Sequence, residues 1–375
     1  MEITGIICEY NPLHLGHSKQ LRTVREHSPD GGIVCLMSGN FVQRGVPAIV
    51  DKSLRAEAAV RCGADLVLEL PVTASLSSAE GFAAEGVGIL SGFCDRLCFG
   101  AETGDADNLL NTAKELLNPA FSEKLKAELD KGLSFPAARQ AALGSDLLTR
   151  PNDILGVEYC KAILAQGSNM KPMVIRREGS YYAQTADREN PSATAVRNLM
   201  LAGGAWLDYI PQEAREYLAN APIHTMATGE KAVLARLRCM TEAEFEALPH
   251  GSEGLWRKLM HAVANESTLE EILTAVKSKR YTRTRLDRMV MCAFLGISRE
   301  MLQSPAPYTR VLAFNDRGRE ILKAARQSGE FINAGELTGA EFELLERRCG
   351  RLYGLFSHTP APPDAERNRR VVYLK

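Results

Sequence analysis

The sequence predicts an α/β fold, with a Rossmann-like parallel sheet in the first two hundred residues and a mostly helical part after it. Three observations predict this. Short apolar runs of strand length recur, each closed by a turn signal and followed by a helical pattern. That alternation stops near Gly203-Gly204. Beyond it the chain reads at helical period almost to its end.

The first strand is Ile3-Thr4-Gly5-Ile6-Ile7-Cys8, followed by a turn-rich link from Glu9 to Leu13 and a helix through Ser18 to Glu26. Gly32 to Met37 is a second buried strand, ending in the turn Ser38-Gly39-Asn40. Asp51 or Ser53 caps a helix that runs through Arg55 to the stop signal Gly63. Asp65 to Leu70 is a third strand, halted by Pro71, and Ser77 to Glu80 starts the next helix. Arg96 to Phe99 is a fourth strand, ending at Gly100. Three polar helices fill positions 104 to 148. Pro172 to Ile175 then returns as a strand, followed by Arg176-Arg177, and Ser192 to Arg197 opens a further helix. In the remainder, Arg310 to Phe314 reads as a strand and Val371 to Leu374 as an edge strand. The predicted division is 1–203 for the sheet domain and 204–375 for the helical one.

The chain has 375 residues, enough for a sizeable core, with 45% hydrophobic and 24% charged residues as in ordinary globular proteins. A net charge of −1 excludes a global basic signal, so any nucleic-acid surface is local. Nine scattered cysteines, an odd count without a spaced framework, predict reduced thiols and a cytoplasmic location. Glu2 comes early and no charged-then-apolar leader is read; no apolar run reaches about 18 residues, so no membrane span is expected.

The most informative string is His14-Leu15-Gly16-His17, set between a buried strand and a helix. Two imidazoles at the mouth of a helix can donate hydrogen bonds to a phosphate. Gly16 allows close backbone approach, and the helix start adds free N–H groups and a positive dipole end. Attack on an α-phosphate builds negative charge there and on departing pyrophosphate, which fixed donors stabilise. His14 and His17 are thus catalytic candidates, with Lys19 in the first turn as a mobile charge. Zinc needs three or four ligands, and no nearby Cys/His group completes a set, so no protein-held metal is expected.

Other residues extend this site. Ser192 and Thr194 place hydroxyls at a helix start, with Arg197 one turn in to neutralise phosphate charge. The loop Asn40 to Gly45 can close over substrate, with Arg44 or Lys52 on phosphate, and Asn152 either caps its helix or reads an adenine edge. The glycines between Gly81 and Gly88 lie inside a helical pattern and do not read as a dinucleotide loop. Lys277, Lys279, Arg280, Arg283, Arg285 and Arg288 form a dense basic run around Tyr281. It reads as a phosphate-backbone surface with a stacking aromatic, or as a solvated helix face.

Together the histidine string and the later Ser-x-Thr-x-x-Arg string resemble the nucleotidyltransferase-like superfamily. Glu9 to His17, Met37 to Gly45 and Gly63 to Pro71 resemble the tRNA(Met) cytidine acetate ligase family, as do Phe99-Gly100-Ala101-Glu102, Pro151-Asn152-Asp153 and Lys279-Arg280-Tyr281-Thr282. That resemblance implies activation of acetate with ATP to acetyl-adenylate, then transfer of the acetyl group to the N4 amine of the wobble cytidine of elongator tRNA(Met). It also implies an ATP site formed by Ile7, Cys8, Glu9, Tyr10, Asn11, Pro12, Leu13, His14, Leu15, Gly16, His17, Ser18, Lys19 and Gln20, with Gly100, Asn152 and Arg177 or its neighbour Arg176. The basic run would hold tRNA, and Mg2+ would come with ATP, held mainly by its phosphates. No protein partner is implied.

The chemistry is coherent. Acetate is a poor acyl donor, and joining it to AMP supplies a good leaving group. Cytosine's amine is a weak nucleophile whose base must be unstacked, which suits an anticodon loop. The chief rival is a small-molecule adenylyltransferase, which needs no long second part. A non-catalytic RNA-binding protein is the other, and the intact histidine pair argues against it.

Overall fold

The computed structural model describes every residue except 178–186, 188, 189 and 364. Its sheet grows outward from β1 (Ile3–Cys8), which pairs in parallel with β2 (Gly32–Ser38), from Ile3 opposite Gly32 to Cys8 opposite Met37. A hairpin of β3 (Phe41–Val42) and β4 (Val46–Pro47) stands apart from the sheet. β5 (Leu66–Leu70) lies beyond β2, and β6 (Arg96–Ala101) crosses back to the other side of β1. β7 (Lys171–Arg176) follows β6 in parallel. The apolar runs are strands because helices cover both faces of a parallel sheet, so no alternation is required of them; every residue of β2 and β5 is buried.

Three strands come from the C-terminal region: β8 (Thr309–Phe314), β9 (Phe331–Asn333) and β10 (Val372–Tyr373). The order is β10-β8-β5-β2-β1-β6-β7, with β9 also paired to β8. The sheet strands of the first two hundred residues are all parallel, as expected, whereas β8, from the later region, runs antiparallel to β5. A strand that arrives after a long helical excursion is not bound by the crossover geometry that keeps the others parallel. Residues beyond 203 therefore build part of the sheet as well as a helical layer.

One face of the sheet packs on the helices Ala79–Ser91, Ala106–Leu117 and Pro151–Ala165 through Phe82, Val87, Leu109 and Val157. The other packs on α1 (Leu15–His27) and α2 (Lys52–Arg61) through Leu21, Val24, Ala56 and Val60. The later helices have an apolar core of their own, with Leu255, Ile272, Leu286 and Phe294 at its centre.

The C-terminal segment is tied down by buried charge. Lys52 Nζ donates to Glu69 at 2.6 and 2.7 Å and to Glu366 at 2.7 Å. Arg369 pairs with Asp51 at 2.6 Å and Glu366 at 3.2 Å. Lys52 is thus committed to a structural cluster. The expectation that it touches phosphate is corrected, because its ammonium is walled in by two carboxylates at 4% residue exposure. None of the nine cysteines is in a disulfide. Among the described residues, no helix is long and apolar enough to cross a membrane.

Candidate active site

The chain reverses direction across the sheet between β1 and β6, and open α/β sheets bind ligands outside the strand ends at that point. A cleft of about 290 Å3 opens there, lined by the ends of β1 and β6, the start of α1 and the helices Pro151–Ala165 and Ala193–Leu201.

The histidine string forms the mouth of α1. His14 is its N-cap: its Nδ1 accepts from the backbone N–H of Gly16 at 3.2 Å. The N–H of His14 in turn donates to His17 Nδ1 at 3.3 Å, closing a capping box made of two imidazoles. The rings stack, with centroids 3.7 Å apart and planes at 24°. A Cβ on residue 16 would sit 3.1 Å from the His14 ring, so glycine is what leaves room for this cap.

Because each Nδ1 accepts a backbone N–H, a neutral ring carries its proton on Nε2. Both rings are held neutral. Burial, then His17, Arg177 and Arg197, push His14 well below the usual histidine value. Burial, then Arg177, lower His17 to about 3. Two Nε2–H donors therefore stand side by side at the positive end of a helix, without a charge of their own to desolvate.

Cations ring these donors. Lys19, Arg44, Arg176, Arg177 and Arg197 line the cleft, whereas Glu9 is the only carboxylate among its described lining residues. Arg177 donates to Asn152 Oδ1 at 3.2 Å, and Asn152 Nδ2 donates to Glu102 at 2.6 Å. A Cβ on Gly100 would lie 2.9 Å from Arg177 Cγ, so this glycine gives Arg177 its place along the strand. Between the two candidate arginines, Arg177 is the one bonded to Asn152 and felt by both histidines; Arg176 packs its stem on Gly104. Arg197 donates to the carbonyl of Asn11 at 2.6 Å and to Thr194 at 3.1 Å. Ser192 caps its own helix through the N–H of Ala195. Tyr10, at φ 45, packs its ring 4.9 Å from that of His17. Glu9 accepts from the N–H of Gln43 at 2.9 Å, which draws the β3–β4 hairpin to the rim.

The cleft brings together Ile7, Cys8, Glu9, Tyr10, Asn11, His14, Gly16, His17, Lys19, Gln20, Gly100, Asn152, Arg176, Arg177, Ser192, Thr194 and Arg197. Pro12, Leu13, Leu15 and Ser18, also expected at the ATP site, are not among its lining residues. Leu13, fully buried, belongs to the core beneath α1, and Leu15 and Ser18 lie in the first turn of α1 itself.

The basic run divides. Lys277, Lys279 and Arg280 are exposed. Arg280 pairs with Glu253 at 2.5 Å, and Arg283 with Glu270 at 2.7 Å and Asp287 at 2.9 Å. Arg285 donates to the carbonyl of His250 at 3.0 Å, and Arg288 to that of Gln43 at 3.2 Å. Tyr281 is 4% exposed within the helical core, which corrects its reading as a base-stacking platform: its ring faces are already covered, one by the Arg285 guanidinium at 5.1 Å.

Comparison with known proteins now fits the geometry. The HIGH Nucleotidyl Transferase family matches residues 1–357. A tRNA(Met) cytidine acetate ligase from Clostridium novyi is 39% identical, over 87% of this chain and 88% of its own. The chain belongs to this family. A relative of the same name from Clostridium acetobutylicum is 34% identical with complete coverage of both chains. Among solved structures, Thermotoga maritima TmcAL without ligand superposes with a TM-score of 0.91, and the form bound with alpha-thio ATP with 0.87. Each is 30% identical and covers both chains fully.

Residue patterning alone missed Phe82, Phe99, Leu155 and Tyr159, all of which line the cleft, whereas the loop Asn40 to Gly45 reaches it through Gln43 and Arg44. One signal was available for two of them. Asn152, Leu155 and Tyr159 are spaced i, i+3, i+7, so a helix that turns Asn152 to the cleft turns the other two there as well.

Proposed function

We propose that this chain is an ATP-dependent acetate ligase acting on the wobble cytidine of elongator tRNA(Met), and that it works through acetyl-adenylate. The observation that carries the reading is the stacked pair of neutral imidazoles, each with Nδ1 satisfied by backbone and Nε2–H free to donate, inside a ring of cations. This arrangement suits a triphosphate.

A carboxylate oxygen of acetate attacks the α-phosphorus, the bond to the β-phosphate oxygen breaks, and pyrophosphate leaves with the electron pair. The Nε2–H groups of His14 and His17 donate to the oxygens that gain charge, and Lys19 follows the departing phosphates. Arg177 and Asn152 border the nucleoside side, with Gly100 admitting them; Ser192, Thr194 and Arg197 close the other wall. The cytidine amine then attacks the acetyl carbonyl, AMP departs, and the amine gives up a proton. Mg2+ enters with ATP. A cleft lined by a single described carboxylate matches a metal held by phosphates rather than by a protein cage.

We assign adenylation to residues 1–203 and tRNA binding to 204–375, with Lys277, Lys279, Arg280 and Arg283 facing the RNA backbone. The surface ion pairs of Arg280 and Arg283 are weak enough for phosphates to replace them. The test is incubation with ATP, labelled acetate and total tRNA. Label in one methionine tRNA species, with AMP and pyrophosphate released, supports the reading. Adenylyl transfer to a small phosphorylated acceptor, with no acetate requirement, would overturn it.

A further inference from the structure

Next to the phosphate-binding wall the cleft changes character. One end of its lining is apolar, where Ile7, Phe82, Phe99, Leu155 and Tyr159 pack in a single cluster. Ile7, Phe82, Phe99 and Tyr159 are between 2% and 8% exposed, so this end is nearly dry. Phe99 and Tyr159 pack with ring centroids 5.2 Å apart. Within this apolar lining stands one polar atom. The Tyr159 hydroxyl bonds to no described residue and opens on the cleft, where a ligand can accept its proton. Ile7 lies one residue before Cys8 and two before Glu9, on the chain that continues to His14 and lines the same cleft. The dry end therefore adjoins the place where the imidazoles meet phosphate.

We propose that this end is the acyl pocket: the side chains of Phe82, Phe99, Leu155 and Ile7 receive the methyl group of acetate, and the Tyr159 hydroxyl donates to one carboxylate oxygen while the other attacks the α-phosphorus. The inference rests on the ligase reading above and gives it a substrate-selecting surface. A nucleobase is a poor occupant, because it presents several polar edges and this end offers one hydroxyl. Asn152, at the start of the helix that carries Leu155 and Tyr159, and Arg177, which is bonded to it, supply such polar groups instead.

The experiment is acetate-dependent exchange of pyrophosphate into ATP, with ATP binding to the enzyme measured separately at equilibrium. Tyr159→Phe retains the ring and its packing. It is expected to raise the KM for acetate roughly tenfold or more, as for a lost hydrogen bond to a charged group, with the KM for ATP unchanged. Leu155→Ala enlarges the half-buried wall and is expected to raise kcat/KM for propionate relative to acetate about tenfold. The inference is overturned if acetate KM is unmoved in Tyr159→Phe and acyl preference is unmoved in Leu155→Ala, or if both variants shift ATP KM instead, which would make this the base pocket. A wild-type enzyme that binds ATP yet shows no acetate-dependent exchange would overturn the ligase reading itself.

Discussion

The Arg288 guanidinium donates to the carbonyl of Gln43 at 3.2 Å, linking a helix of the C-terminal region to the hairpin that borders the nucleotide cleft. The contact is close enough that a Cβ on Gly45, at φ 76, would fall 2.3 Å from the backbone nitrogen of Arg288. Gln43 in turn donates its N–H to Glu9. A route of three residues thus runs from the basic helix to the cleft rim.

Arg288→Met should therefore act on adenylation more than on RNA affinity. Its side chain faces the hairpin, and removing the guanidinium frees the Gln43 carbonyl. A several-fold fall in acetate-dependent pyrophosphate exchange is expected, with tRNA affinity within about twofold of wild type. Filter binding and exchange assays on one preparation check this, and a loss confined to tRNA binding would contradict it.

Lys277→Glu combined with Lys279→Glu should do the opposite. Both residues are exposed. Loss of two phosphate contacts lowers tRNA affinity and reduces the slope of log affinity against log salt by roughly one per contact. Acetyl-adenylate formation without tRNA should persist. An unchanged salt slope would place the RNA elsewhere.

His14→Ala and His17→Ala should each reduce adenylation by roughly 10²–10³-fold, the usual loss for one preorganised donor to a developing anion. His14→Ala also removes the α1 cap, so its folding is checked by thermal melting. The readout is the single-turnover rate of acetyl-adenylate formation. Retention of more than a tenth of the wild-type rate in both would remove the imidazoles from the chemistry.

Lys52→Met leaves Glu69 and Glu366 buried without their shared cation. Breaking a buried ion pair from one side costs about 3–5 kcal/mol. Urea unfolding should show that loss, whereas a simultaneous change of all three residues to apolar ones should recover much of it.

Acid should weaken the fold through its histidines. An unfolded histidine takes up a proton near pH 6.5. Folded His17 resists until about 3, and burial with nearby Arg288 holds His250 down to about 4. Between these limits the unfolded state binds more protons, so this contribution is complete above about pH 6.5 and declines as pH falls. Glu346, raised to about 7 by burial and Glu69, works in the other direction. The histidine effect is therefore read as a difference: the stability gap between wild type and His250→Gln should narrow from pH 7 to pH 5. A constant gap would refute it.

Most of the sheet was legible in the chain because its strands are uninterrupted apolar runs with clear stops, as Leu66–Leu70 before Pro71 shows. The histidine pair was legible because a cap is a local device: His14, Gly16 and His17 contact one another within four residues. What escaped reading depends on partners far along the chain. Nothing near Lys52 announces Glu366, and nothing near Arg288 announces Gln43. Tyr281 looks like a stacking platform by composition, and only the packing of the helical core shows its faces covered. Phe82 and Phe99 read as ordinary core residues, since a cleft floor and a core have the same apolar composition.

The strand Thr309–Phe314 covers the outer edge of Leu66–Leu70, yet it is translated some 240 residues later. A nascent chain emerging from the ribosome must keep an apolar edge bare through most of its synthesis. Any product ending before Thr309 retains that edge for good, a geometry that recruits other extended segments and seeds aggregates. Chaperone dependence during production, and insolubility of every C-terminal deletion that removes this strand, follow from the order in which the sheet is completed.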